Sequence, residues 1–451
     1  AGTNTAFGSE ALKLCTTGSG NTAVGPNSLG GLTIGLNNTV VGPSGASLTT
    51  GSDNVFIGVA VAQNSLTTSG SVYIGSNAGG NALSAGNNCV GVGVNSLFNN
   101  TSVEIVAIGV SALETNTTGL RNTAVGHRAL TANATSGDCT AVGHGALAAN
   151  TAASNTAVGS SSLLLNTTGA GNTAVGLLSL GTNTSGSDLV GIGFNALGAS
   201  ATSVRSVAIG RQTLASIVSV ADCVAVGHNA LINNQANANV AVGASALDAN
   251  TTGGRNTAVG FNALGAIVTQ SDCTAVGHNA LSTNTGALNT AVGSGALDVN
   301  VGGTRNVAIG PNALGANSGG DDNVAIGNSA LLVNVGGLRN IAIGSNALDA
   351  NSGADDNIAI GDSSLTSNTT GLRNLALGTN TLAANTTGDE NIAIGNSALN
   401  NNATGLRNIA IGHNALDASS ATSDNIAIGD SALTVSTTGT NNVAIGTNTL
   451  N

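Results

Sequence analysis

Five histidines are the first residues in this chain whose type and spacing could do chemistry. His127, His144, His228, His278 and His413 each stand directly after a glycine that recurs about every 17 residues. Imidazoles held at a fixed spacing are candidates for metal ligation or proton transfer. Only His127 and His144 fall on neighbouring copies of the pattern, however, and no carboxylate or cysteine recurs beside them at ligand spacing. The reading is a surface column and no metal. Of five cysteines, Cys89, Cys139, Cys223 and Cys273 share one position of the pattern and lie three or more copies apart, while Cys15 sits in the first loop. A disulfide needs Cα atoms within about 7 Å, so pairing inside that column is excluded and the four read as small buried substitutes. Bridges between chains across a symmetry axis stay open. The strongest electrostatic signal lies five residues before the glycine, where Arg305, Asp322, Arg339, Asp356, Arg373, Glu390, Arg407 and Asp424 alternate in sign. Stacked on successive turns, each charge would have two opposite neighbours. We read a ladder that fixes register, with a ligand-binding charged stripe as the alternative. No nucleophile triad, paired carboxylates, phosphate loop or calcium nonapeptide is present in the sequence. Neither catalysis nor a cofactor is expected.

The element that must position these residues is the repeat itself. From Arg305 to Asn451 one sentence returns every 17 residues, as RNVAIGPNALGANSGGD, DNVAIGNSALLVNVGGL and RNIAIGSNALDANSGAD. Stepping backwards from Gly310 finds the same glycine as far as Gly8, so 27 copies fill residues 1–451, which we read as one elongated domain. Residues 1–100 are less regular, 101–304 mix 16- and 17-residue copies, and 305–451 keep 17 throughout. Within a copy, N-I-A-I-G carries β-branched residues at alternate positions between Asn and Gly, which is a strand signal. N-A-L is read as a second short extended piece, followed by a Gly/Asn/Thr/Ser loop. The fold class expected is all-β, a parallel β-solenoid of about 27 rungs. At about 4.8 Å per rung that would make a rod of roughly 130 Å. Asn306, Asn323, Asn340, Asn357, Asn374, Asn391, Asn408, Asn425 and Asn442 occupy the place four before the glycine. Stacked amides can hydrogen-bond up such a column.

The strand is apolar on both faces, which predicts a covering layer on each. One face lines the coil. The other is expected to meet a second copy of the chain, with the small alanine column permitting close approach. Phe56 and Tyr73 replace that alanine on adjacent rungs and would widen or plug such an interface. Composition excludes several other partners. Charged residues are 7% of the chain, the net charge is −11 and Lys13 is the only lysine, so no basic footprint for nucleic acid exists. No apolar run approaches the length of a membrane-spanning helix, so this chain is not expected to insert into a membrane. A start at Ala1 without Met suggests a processed or truncated beginning, and both terminal copies are ordinary repeats. Open strand edges there suggest a piece of a longer fibre, or stacking end to end. Loop triplets at Asn116, Asn166, Asn250 and Asn385 would accept glycans in a glycosylating pathway.

The phrases NTAVG, NVAIG and NIAIG, followed by a small residue and leucine, resemble the head repeats of YadA-type trimeric autotransporter adhesins. Similar repeats occur in phage and viral tail-fibre proteins. The resemblance covers essentially all copies, although this repeat is longer than the family's. It implies a left-handed β-roll joined as a homotrimer, and with it an extracellular, adhesive fibre at a cell or virion surface. A tail-fibre shaft is the runner-up. A glycan, matrix or ice surface remains as a partner class, with ice disfavoured because the threonine three before the glycine gives way to Val, Ile or Leu from Gly310 onward.

Overall fold

The structure, a computed structural model, describes residues 2–81, 87–418, 420–434 and 438–450. The described residues form a parallel β-solenoid with one strand of its main sheet from each copy of the repeat, and no helix occurs among them. The chain divides into two compact units, residues 1–223 and 224–451. In the first, three-residue strands stack in parallel from Thr5–Phe7 to Val207–Ile209; in the second they run from Val224–Val226 to Val443–Ile445. Pairing joins equivalent positions, as where Val307, Ala308 and Ile309 face Val324, Ala325 and Ile326. Because side chains alternate sides, a one-residue slip would exchange Ala for Ile throughout, so the repeat specifies its own register.

The N-A-L segment is a turn, not a second strand. Its first and third residues adopt positive φ, 54° at Asn346 and 52° at Leu348, and the same holds in copy after copy. Left-handed backbone costs a leucine on the order of 1–2 kcal/mol. Here it aims the leucine N–H along the stacking direction, so that Leu314 donates to the Ala330 carbonyl at 2.9 Å and Leu331 to that of Ala347 at 2.8 Å. It also buries the whole side chain, which returns about 2 kcal/mol. A second extended piece does exist, a few residues later. Thr283–Asn284, Val299–Asn300, Ala316–Asn317, Val333–Asn334 and Ala350–Asn351 form a five-stranded parallel sheet in the second unit.

The inward and outward faces of the strand are reversed from expectation. The alanine column is the interior, with Ala308, Ala325, Ala342 and Ala359 all fully buried within the single chain, whereas the Val and Ile on either side are half-buried or exposed. The coil is too narrow for two bulky residues from the same strand, because its cavity already holds the leucine, the alanine before it and two asparagines per turn. Phe56 and Tyr73 therefore do not face a partner. Their rings stack inside the coil at 5.1 Å between centroids and 8° between planes. Volume is conserved rung by rung, as close packing demands. Where the alanine position holds Val40, Phe56 or Tyr73, the leucine position holds Ala46, Ala62 or Gly79. A Cβ on Gly79 would stand 2.6 Å from the Tyr73 ring, and one on Gly91, in the alanine column of the next rung, 3.0 Å from it.

Candidate functional site

Two side-chain ladders run through the interior. In the first, Asn306 to Asn425 are buried and Asn442 half-buried. The amide of Asn340 donates to Asn323 Oδ1 at 3.2 Å and to the Ala354 carbonyl at 2.8 Å, while its own Oδ1 accepts the backbone N–H of Asn357 at 3.0 Å. The second ladder lies in the loop, seven residues after the glycine, and was not foreseen. Asn317 donates to Asn300 Oδ1 at 2.6 Å, Asn334 to Asn317 at 2.8 Å and Asn351 to Asn334 at 2.7 Å. The recurrence of Asn at this place was visible in the sequence, hidden among loop residues. This second ladder includes Asn116, Asn166, Asn250 and Asn385, which are fully buried, so the glycan triplets are closed in the folded chain. Cys89, Cys139 and Cys273 interrupt the first ladder, where each sulfur accepts an amide N–H of the second, from Asn100, Asn150 and Asn284 at 3.6–3.7 Å. Burial pushes all three thiols up from their ordinary range.

The charged column is built from pairs and is not a continuous ladder. Arg305 grips Asp322 at 2.6 Å, Arg339 grips Asp356 at 2.7 Å, Arg373 grips Glu390 at 2.8 Å and Arg407 grips Asp424 at 2.7 Å. Each of the three Asp pairs is a two-pronged guanidinium–carboxylate contact. The next arginine contributes only through longer-range charge, as Arg339 does at Asp322. Its N–H groups lean instead towards the preceding acidic column, with Arg339 4.0 Å from Asp355. The carboxylates of that column hold the loop backbone, where Asp321, Asp355 and Asp389 accept the N–H of Thr304, Leu338 and Leu372 at 2.7–2.8 Å.

The arginine hydrogen bonds hold the Asp322, Asp356 and Asp424 carboxyls below their ordinary range. A depressed folded-state pKa adds stability that is present above the unfolded value and lost as pH falls through the folded one. These pairs are solvent-exposed, so the effect is small and screened by salt. The triple variant Arg305→Gln/Arg339→Gln/Arg407→Gln should melt slightly below the parent at neutral pH in low salt. The gap should close below the usual carboxylate range, and also in about 1 M salt. Thermal melts across pH and salt measure it, and a gap indifferent to both would contradict the pairing.

The histidines stand on the outer surface, directly after the glycines. His127 and His144 stack at 5.2 Å, Phe261 and His278 at 5.5 Å, and His413 meets Asp430 at 3.0 Å. Among the described residues no three His, Cys, Asp or Glu side chains gather as a metal site, and no helix is long and apolar enough to cross a membrane. Threonines tie rungs together: exposed Thr151 and Thr167 and half-buried Thr369 donate their hydroxyls to carbonyls one copy on, at 2.9 Å each.

The outward sheet face of the second unit is aliphatic from Val307 onward. From Val307 to Ile445 both outward strand positions of every rung are Val, Ile or Leu, as in Ile341/Ile343 and Ile409/Ile411. Ile309, Leu377 and Ile428 are 39%, 41% and 37% exposed. No family model matches the chain, and no curated protein is found similar to it.

Proposed function

We propose that this chain is an extracellular structural and adhesive fibre protein that acts as a homotrimer, with the Val/Ile/Leu columns of each copy covered by the others. The observation that carries the reading is the outward face from Val307 to Ile445, two aliphatic columns wide and without a covering layer among the described residues. Contiguous apolar surface beyond a few hundred Å² is rare on proteins that work alone and marks an interaction site. A second copy offers a matching face with the same rung spacing, so aliphatic side chains interdigitate at every turn. The contact is thus made by the bulky columns and not by alanine.

The number three rests on the resemblance of NVAIG and NIAIG to YadA-type adhesin heads, as does display outside the cell. Adhesion is supported by repetition, since any weak surface contact recurs on successive rungs and on each copy, and multivalency raises avidity without new chemistry. Electron microscopy of natively purified material tests the reading. Slender particles with threefold end views are expected; isolated single chains, or twofold particles only, would overturn it.

A further inference from the structure

We propose that the first unit carries a binding site for an alkyl carboxylate, in a groove between Arg128 and Leu165. Three consecutive turns form it. Arg128 stands on the first, the middle turn is hollowed out by Gly145, Ala148 and Ala149, and Leu164 and Leu165 wall it on the third. The groove encloses about 480 Å³ and opens to solvent, with exposed His144 at its rim. The hollow comes from sequence, not from backbone distortion. Position two after the glycine is Asn or Ser in many copies, all with φ near 50–60°, and Gly145 keeps the same φ of 65° without a side chain. Ala149 occupies the position that Leu165 fills one turn later.

The charge at one end is the second, independent observation. Lys13 pairs with Glu10, seven arginines are gripped by carboxylates, and Arg211 lies over the Phe194 ring at 5.8 Å. Every ion pair among the described residues belongs to another cation, and none joins a carboxylate to Arg128. A chain of net charge −11 thus leaves a free guanidinium beside its aliphatic groove. A guanidinium offers a planar fork of donors that fits a carboxylate, and methyl-lined walls accept an alkyl body. His144 adds an imidazole that can donate to the same anion. A purely apolar ligand would leave Arg128 unused, and a cation would be repelled by it.

Octanoate is the probe, with octan-1-ol as its neutral counterpart, each titrated into the intact chain and followed by calorimetry and by the methyl resonances of Leu164 and Leu165. Octanoate should bind and shift those methyls, and octan-1-ol should bind about tenfold or more weakly. Arg128→Gln should bring octanoate down to the alcohol. Ala149→Leu fills the hollow with a residue its own column already carries, so folding should persist while binding is lost. Equal binding of acid and alcohol, undiminished binding to Ala149→Leu, or no binding to the intact chain would each overturn the site. Unchanged far-ultraviolet circular dichroism keeps a folding defect from passing as a loss of the site.

Discussion

Gly344→Ala should open the solenoid locally and cost more than about 4 kcal/mol, the largest effect expected of any single substitution here. Two causes act together. Gly344 holds φ at +136°, a conformation side chains rarely adopt, and an added Cβ would lie 2.4 Å from the Gly361 carbonyl oxygen and 2.5 Å from its carbon. Both atoms are backbone of the next turn, so no rotamer change relieves the clash. Only separation of the turns would, and that breaks the bond from the Gly361 N–H to the Ile343 carbonyl at 2.8 Å. Gly336 is the control. Its φ is +86° with nothing within 4 Å of a built Cβ, so Gly336→Ala pays conformational strain alone, about 1–2 kcal/mol. Because a repeat array opens in parts, amide hydrogen exchange of the flanking turns is the right readout. Equal protection in the two variants would contradict the stacking argument.

Asn340→Ala should cost about 3–4 kcal/mol, from one orphaned buried donor plus the cavity left behind. The Asn357 N–H loses its acceptor, and the Ala354 carbonyl keeps only the Asn351 amide at 3.0 Å. Asn340→Cys should be milder. A thiol in this column donates to the facing carbonyl, as Cys139 does to Ala152 at 3.3 Å, and it retains more of the volume. Denaturant melts combined with exchange at residues 323–358 decide it. A loss no larger than that of an exposed loop asparagine, or a Cys variant worse than Ala, would refute the ladder as a stabilising element.

The repeat period, the strand at N-I-A-I-G, the asparagine ladder and the two opposite-charge neighbours of Arg305, Arg339, Arg373 and Arg407 were legible in the sequence, because each is a matter of periodicity, but which one of the two each arginine grips was not. Direction was harder. Apolar volume alone assigns Val and Ile to the inside, yet the coil has room for one small residue at that level. The deciding signal was present as a compensation: only the turns with Val40, Phe56 or Tyr73 lack the leucine four after the glycine. Two positions that trade volume within one chain share one interior. The left-handed residues were concealed for another reason. Leucine and arginine carry no intrinsic preference for positive φ, and hydrogen bonding between turns overrides their propensity. The groove at Arg128 was invisible because it is an absence of side chains, meaningful only once three turns are stacked.

Copies of this chain that cover one another's outward Val/Ile/Leu face should stay together in solution, and native mass measurement tests this most directly. The intact chain at micromolar concentration should give a single species of three times its 43.0 kDa mass. Ile343→Lys/Ile360→Lys, placed on the outward column where the coil interior is untouched, should shift that species to single chains with the β-sheet spectrum retained. A parent that is stably monomeric, or a lysine variant that stays assembled, would contradict the account.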